Sequence, residues 1–242
     1  PLTSLFFLIA SIILTSWLTI SFKFVERFKI NNLQAIVFNY ITCVITGSFV
    51  HGSFPMKPIL AGEVWLPWAL VMGAVFISLF NLVAFTAQRI GVSVAVVAYK
   101  LSLIIPFLFS LVYYNEPYTA WKIAGVGLAL AAVVLTSMPS NKKEKDKNVG
   151  LVLWLVPFVL FTGSGMLDAM IKFVEQAFVN EQNQDIYLIT AFASAAVVGI
   201  CILAVQYITG KQRFDPRAII AGLASGIPNY FSIWCLMHAL KG

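Results

Sequence analysis

Charged residues are scarce in this chain. Only 11% of its 242 residues are Asp, Glu, Lys or Arg, whereas soluble domains carry about 25%. Hydrophobic residues make up 60%, an excess that one globular core cannot bury, so a soluble protein is excluded. The net charge of +6 does not indicate nucleic-acid binding, because the Lys and Arg residues stand between apolar runs and form no basic face with interleaved aromatic residues.

Histidine and cysteine are also rare, with two and three residues respectively. The cysteines, Cys43, Cys201 and Cys235, fall inside apolar runs without CxxC spacing, so neither a disulfide framework nor a thiolate metal site is indicated. The sequence contains no HExxH, GxSxG or GxxxxGK[ST] motif. We therefore expect a protein that is not an enzyme and that holds no cofactor or metal.

Long uncharged runs are what the sequence does have. Seven of them reach 19 residues or more, and a membrane-spanning helix needs about 20. The runs lack the alternating pattern of a transmembrane β-barrel, so we predict an all-α integral membrane protein with eight visible spans. These spans lie near residues 2–22, 33–50, 65–87, 92–114, 118–138, 150–171, 186–209 and 218–240.

The two halves of the chain show internal similarity. An offset of 149 residues maps Lys23-Phe24-Val25-Glu26 onto Lys172-Phe173-Val174-Glu175, Asn31 onto Asn180 and Gly73 onto Gly222. An offset of 148 maps Ile41-Thr42 onto Ile189-Thr190. These matches predict a first five-helix repeat at 1–139, a polar linker at 140–148, and the first three helices of a second repeat at 149–242.

A repeat with five helices has an odd number of spans, so its second copy must be inverted in the membrane. Inverted repeats are a recurring design of secondary transporters. Two units of 149 residues would exceed the 242 present, and we expect about two C-terminal helices to be missing.

The stretch from Gly91 to Thr136 resembles EamA-type transporters of the drug/metabolite transporter superfamily. Its residues fit the pattern E-x-x-T-x-x-Q-x-x-G-x-x-L at Glu116, Thr119, Gly125 and Leu128, with Lys122 in place of Gln. Asn115 and Ala132 also depart from the usual glycines. The resemblance implies a bundle of ten helices in two inverted five-helix repeats. It further implies a central cavity lined by spans one, three, four, six and eight, open alternately to either side of the membrane.

Two of the charged residues inside predicted spans are candidates for the substrate site. Lys100 has no charged neighbour from residue 90 to 115, and a mid-membrane lysine costs about 2.5–3.5 kcal/mol, so such residues usually face a cavity or a partner. We predict that Lys100 contacts an anionic or zwitterionic substrate, the alternative being a snorkelling or permanently paired lysine. Asp168 is a candidate substrate contact or proton carrier, although Lys172, four residues later, could simply neutralise it.

Four neutral side chains complete the predicted substrate site. Asn81 and Asn229 stand at comparable depth in the two repeats, and Trp17 and Trp234 offer stacking surfaces. The alternative for each asparagine is a hydrogen bond that only joins helices. His238, at the end of span eight, is expected to lie at the membrane interface.

These observations predict a secondary transporter that moves a small metabolite by alternating access. The substrate classes considered are amino acids, other organic anions or zwitterions, and drug-like compounds, with protons as a candidate coupling ion and the lipid bilayer as the surrounding partner. An integral-membrane enzyme or a channel is the alternative.

We expect the protein to lie in a bacterial cytoplasmic membrane. Orientation stays open, because 11 Lys and Arg on one side against four on the other place the N-terminus outside, whereas the family resemblance implies cytoplasmic termini.

Overall fold

The computed structural model describes residues 2–90, 92–114, 119–137, 151–180 and 182–240. Within these ranges the chain forms ten α-helices and no strand, which confirms the all-α prediction. The polar linker at 140–148 and Glu116 of the EamA-like pattern lie outside the described residues. The helices are α1 (Leu2–Arg27), α2 (Asn32–His51), α3 (Met56–Ala61), α4 (Leu66–Arg89), α5 (Val92–Leu101), α6 (Ile104–Tyr113), α7 (Ala120–Ser137), α8 (Leu151–Phe178), α9 (Gln184–Ile208) and α10 (Arg217–Leu240).

Six helical segments in the described part of the chain are long and apolar enough to cross a membrane. The chain is therefore an integral, multi-pass membrane protein. The prediction of eight spans is confirmed for six, and whether α1 and α7 also cross stays a prediction. The six segments are Asn32–His51, Leu66–Val83, Val94–Tyr113, Leu155–Phe178, Gln184–Ile208 and Arg217–Ala239.

The helix boundaries differ from the apolar runs in two ways. The predicted span at 92–114 is divided into α5 and α6 by a turn at residues 102–103. In addition, α1 and α8 continue past the predicted ends at residues 22 and 171, to Arg27 and Phe178. A helix need not stop where its apolar run stops, because its backbone hydrogen bonds can continue into the polar headgroup region.

The chain folds into two compact units. Unit 1 comprises Pro1–Ile77 and Phe178–Gly242, and unit 2 comprises Ser78–Ala177. Unit 1 thus contains α1 to α3, the first half of α4, α9 and α10, whereas unit 2 contains the second half of α4 and α5 to α8. The division into domains at 140–148 concerns the duplication in the sequence and stays a prediction.

Helices α2 and α9 of unit 1 pack closely and antiparallel. A Cβ on Gly199 would lie 2.5 Å from Val37 Cγ2, and one on Gly47 would lie 2.7 Å from Ile189 Cγ1. The early part of α2 therefore faces the late part of α9. Glycines at both points of contact allow the two backbones to approach each other, as is common between membrane helices.

Helix α4 also packs against α9, and this pair runs parallel where α2 and α9 run antiparallel. The Tyr187 hydroxyl donates to Met72 Sδ at 3.2 Å near the beginning of both helices. Further along both, a Cβ on Gly199 would lie 2.6 Å from Ile77 Cδ1. Contacts that advance together along both sequences mean that the two helices run parallel. Between them, Gly73 packs directly on the α9 backbone.

Helices α2 and α10 also run parallel. A Cβ on Gly222 would lie 2.7 Å from the carbonyl carbon of Phe38, and one on Gly226 would lie 2.5 Å from Thr42 Cβ. Cys43 donates its thiol hydrogen to the Gly226 carbonyl at 3.3 Å. The two glycines of the Gly222-x-x-x-Gly226 sequence thus form the packing face of α10 towards α2.

Helix α1 lies antiparallel along α10. Ser11 Oγ donates to the Ser232 carbonyl at 2.7 Å, and Trp17 Nε1 donates to the Ala224 carbonyl at 3.2 Å. Later residues of α1 therefore meet earlier residues of α10, which fixes the direction of the pair.

The connection between α9 and α10 is held by the buried side chain of Gln34 in α2. Gln34 Nε2 donates to the Arg213 carbonyl at 2.8 Å, and its Oε1 accepts the Asp215 backbone N–H at 2.9 Å. Asp215 in turn pairs with Arg217 at 2.9 Å, and this guanidinium holds the pKa of Asp215 below its ordinary value. The start of α10 is thereby fixed against the start of α2.

Candidate functional site

The helix of the fourth predicted span is interrupted between α5 and α6. Ile105 N donates to the Ser102 carbonyl at 2.9 Å, an i to i−3 bond in place of the i−4 bond of an α-helix. Pro106 explains the interruption, because it has no N–H and its ring clashes with the carbonyl four residues earlier, that of Ser102. The Ser102 hydroxyl bonds to the Tyr99 carbonyl. Irregular backbone at membrane depth is tolerated where protein buries it or where it lines a cavity.

Lys100 and Asp168, both predicted as site residues, come close together in unit 2. Lys100 lies in the last turn of α5, next to the interruption, and Asp168 lies in α8. Both side chains are half-buried. The charge of Lys100 acts on the Asp168 carboxylate. Within the described residues, however, the two do not form an ion pair within 4 Å. The two opposite charges thus lie near one another without pairing directly.

Lys172 does not provide the alternative partner for Asp168. Its Nζ lies 5.9 Å from the centroid of the Tyr114 ring, in a cation–π contact. The cation that acts on Asp168 is instead Lys100. The i,i+4 neutralisation considered from the sequence is therefore not the arrangement that the structure has.

Two glycines near Asp168 bring α8 into close contact with α6 and α4. A Cβ on Gly165 would lie 2.6 Å from Ile105 Cβ, at the first turn of α6, and one on Gly163 would lie 2.9 Å from Leu79 Cδ2. Ser164, one turn before Asp168 on the same helix face, is buried, and its hydroxyl has no hydrogen-bond partner among the described residues. The site therefore combines a cation, a carboxylate and a hydroxyl with unused hydrogen-bonding capacity.

The other predicted site residues are divided between the two units. Asn81 is half-buried in α4 and belongs to unit 2, together with Lys100 and Asp168. Trp17, Asn229 and Trp234 belong to unit 1, where each makes hydrogen bonds between helices. The structure thus brings Lys100 and Asp168 together and gives the three residues of unit 1 identifiable partners of their own.

Trp17 satisfies a carbonyl that Pro228 leaves without its helical donor. In a regular helix the N–H of residue 228 would bond to the carbonyl of Ala224, and proline has no such hydrogen. Trp17 Nε1 donates to this carbonyl from α1, at 3.2 Å. The indole therefore compensates for the missing helical hydrogen bond inside α10.

Asn229 belongs to a buried polar network between α2 and α10. Its Nδ2 donates to Asn39 Oδ1 at 2.8 Å, and Asn39 Nδ2 donates to Ser225 Oγ at 2.9 Å. All three side chains are buried. Polar side chains that bond across membrane helices stabilise their association, and this network fixes the register of α10 on α2.

Trp234 lies in a polar and aromatic cluster at one end of unit 1. Its Nε1 donates to Asp185 Oδ1 at 3.0 Å, and its ring lies 3.9 Å from the His238 ring, centroid to centroid. Gln184 Nε2 is 3.2 Å from His238 Nδ1, and the Phe7 ring packs against both aromatic side chains. His238 was expected to be a simple interfacial residue, and the structure gives it specific partners.

Sequence reasoning missed the interruption at residues 102–103 and the role of Gln184 and Asp185. Pro106 was a signal for the interruption, but proline inside a membrane helix often causes only a bend. Gln184 and Asp185 lie at the beginning of a span, where polar residues are ordinary, so nothing in the sequence distinguished them.

Comparisons with known proteins give one distant relative. No protein-family model matches the chain, and no solved structure matches it. A protein of Haemophilus influenzae described as uncharacterized is 23% identical over 235 residues, which cover 93% of this chain and 76% of the relative. Because this relative carries no assigned activity, the similarity to EamA-type transporters stays a prediction.

Proposed function

We propose that this protein is a secondary membrane carrier that moves a small metabolite by alternating access. In this proposal the fold is an EamA-type bundle of ten helices, built from two inverted five-helix repeats, in a bacterial cytoplasmic membrane. The observation that carries the proposal is the reciprocal packing of helices that the sequence offset makes equivalent. The second helices of the two repeats are α2 and α9, and the third helices are α4 and α10.

The reciprocity supports a two-fold relation between the repeats. The third helix of the first repeat, α4, packs on the second helix of the other repeat, α9, through Gly73. The third helix of the second repeat, α10, packs on α2 through Gly222. Gly73 and Gly222 are themselves equivalent under the offset of 149. Both pairs are parallel, as a two-fold exchange of the repeats requires.

The direction of the second helices supports inversion in particular. Two repeats related by an axis in the membrane plane have equivalent helices that run in opposite directions, whereas parallel repeats have equivalent helices that run in the same direction. Helices α2 and α9 are antiparallel, with Val37 beside Gly199 and Gly47 beside Ile189. Inverted repeats of this kind are typical of secondary carriers, in which one half moves against the other.

The substrate-binding role of the Lys100 site is the second part of the proposal. An interrupted helix at membrane depth is a common place for substrate or ion binding in carriers. Lys100 can bind an anionic group, while Asp168 and Ser164 can bind an ammonium or hydroxyl group. A zwitterion such as an amino acid would pair with both charges, and an organic anion would pair with Lys100 while Asp168 exchanges a proton.

A transport assay with the chain in liposomes tests the carrier function. We expect saturable uptake that depends on an imposed gradient, for at least one member of a panel of amino acids and dicarboxylates first selected by thermal stabilisation. Uptake that rises linearly with concentration would indicate a channel instead. Absence of stabilisation and of saturable uptake across the panel would contradict the proposal for these substrate classes.

Variants of the two charges test the site. Lys100→Met should weaken apparent substrate affinity by about 10- to 100-fold, because a hydrogen bond to a charged group contributes about 1.5–3 kcal/mol. Lys57→Met, at an exposed cation in α3, is the matched control and should leave transport unchanged. For Asp168→Asn, a pH dependence of transport equal to that of the wild type would remove Asp168 as a coupling group.

A further inference from the structure

His238 has two neighbours on the same ring nitrogen. Its Nδ1 lies 2.9 Å from the Trp234 carbonyl oxygen and 3.2 Å from Gln184 Nε2. The carbonyl can only accept a hydrogen bond, whereas the Gln184 amide nitrogen can only donate one. A ring nitrogen carries either a proton or a lone pair, so Nδ1 can bond with only one of these neighbours at a time.

The neighbours of His238 limit how its Nδ1 can exchange these two contacts for others. Gln184 is 3% exposed, so its side chain cannot exchange His238 for water without movement. The Trp234 ring lies 3.9 Å from the imidazole, centroid to centroid, and the Phe7 ring lies 5.4 Å away. Aromatic rings on two sides therefore limit how far the imidazole can turn.

We propose that His238 is a proton-operated switch between α9 and α10. In the neutral ring the proton is on Nε2, and the Nδ1 lone pair accepts from Gln184 Nε2, which joins α9 to α10. When the ring takes up a proton from solvent, Nδ1–H donates to the Trp234 carbonyl within α10. The Gln184 amide hydrogen then faces another hydrogen, and the bond between α9 and α10 is lost.

The charges near His238 suit such a switch. Asp185, from α9, is the acidic group facing the cluster, and its Oδ1 accepts the Trp234 Nε1 hydrogen at 3.0 Å. Helix α1 contributes the uncharged Phe7, and Lys241, three residues after His238, lies outside the described residues. Histidine is the side chain whose ordinary charge change lies nearest neutral pH. All contacts lie in unit 1, so the switch depends on neither Lys100 nor Asp168 and goes beyond the proposed carrier site.

The chain is well suited to a direct test because it contains two histidines, His51 and His238. Nitrogen-15 histidine labelling of the full chain in detergent micelles would give four ring signals, and His51→Gln would leave those of His238. We expect an unprotonated Nδ1 with Nε2–H at high pH and both nitrogens protonated at low pH. A neutral ring with its proton on Nδ1, or no titration between pH 5 and 8, would overturn the proposal.

Two variants then test the partners in opposite directions. Gln184→Met removes the donor to the neutral ring and should raise the titration midpoint by about 0.4 to 1 pH unit. Asp185→Asn removes a negative charge and should lower the midpoint, while its amide oxygen can still accept from Trp234. A purely structural role for the cluster predicts no such opposite shifts, and midpoints that stay at the wild-type value in both variants would refute the switch.

Discussion

Replacing Gly73 with alanine tests the close packing of α4 on α9. The added Cβ would lie 2.5 Å from Ser194 Cβ and 2.6 Å from the Ala195 nitrogen, and against the Ala191 carbonyl oxygen. Atoms in ordinary contact stand about 3.5–4.0 Å apart, so the helices must separate by roughly 1 Å. Most of these neighbours are backbone atoms, which cannot turn away as a flexible side chain could.

The expected loss of stability follows from the effect of adding volume to a tightly packed core. Adding a methyl group to a tightly packed site destabilises by about 1–3 kcal/mol. For a chain of this size each kcal/mol corresponds to about 2–4 °C in the unfolding midpoint, so Gly73→Ala should lower it by about 2–12 °C. Gly222→Ala should shift it in the same direction, because its Cβ would meet the α2 backbone at Phe38 and Asn39.

A matched control is available in α7. Among the residues that the structure describes, a Cβ on Gly125 would meet no atom within 4 Å. Gly125→Ala should therefore leave the midpoint unchanged or raise it, since alanine is the better helix former by about 0.5–1 kcal/mol. A thiol-reactive fluorogenic dye can report unfolding, because Cys43 and Cys235 are buried. The exposed Cys201 is first replaced by serine. If Gly73→Ala were as stable as Gly125→Ala, the close approach of α4 to α9 would be refuted.

Two further predictions concern hydrogen bonds of α10. Trp17→Phe should destabilise the protein by about 1 kcal/mol. The loss of stability should be smaller in a Pro228→Ala background, because the new backbone N–H of residue 228 can donate to the Ala224 carbonyl. Equal losses in both backgrounds would contradict the compensation. Because Arg217 lowers the pKa of Asp215 from its ordinary value of 3.8, the pair's contribution should be constant above about pH 4 and be lost as the pH falls further. Thermal unfolding of Asp215→Asn against the wild type should therefore differ at neutral pH and converge in acid, and a difference that persisted in acid would exclude this linkage.

The membrane class and most spans could be predicted from the sequence because they depend on local composition. An uncharged run of 25 residues at 186–210 predicts a helix whatever surrounds it, and the structure places α9 at Gln184–Ile208. The interruption before Pro106 was less accessible, since a proline in a membrane helix either bends or breaks it according to the packing around it.

The partners of the predicted site residues required the three-dimensional structure. Lys100 and Asp168 are 68 positions apart, and only the folding of unit 2 brings their charges together. The role of Trp17 depends on a carbonyl that Pro228 exposes on another helix. No pattern within α1 could indicate that bond, because its cause lies more than 200 residues away.

The sequence offset and the packing relate two positions in α4 and α10. The offset that equates Gly73 with Gly222 also equates Ser78 with Ile227, the residue before Pro228. Ser78 is where α4 passes from unit 1 to unit 2, and Pro228 is where α10 lacks a backbone hydrogen bond. In both helices the glycine contact, of Gly73 on α9 and of Gly222 on α2, thus lies five or six residues before this position. The two helices differ beyond it, because the Asn229 network holds the later half of α10 to α2 within unit 1, whereas the later half of α4 belongs to unit 2.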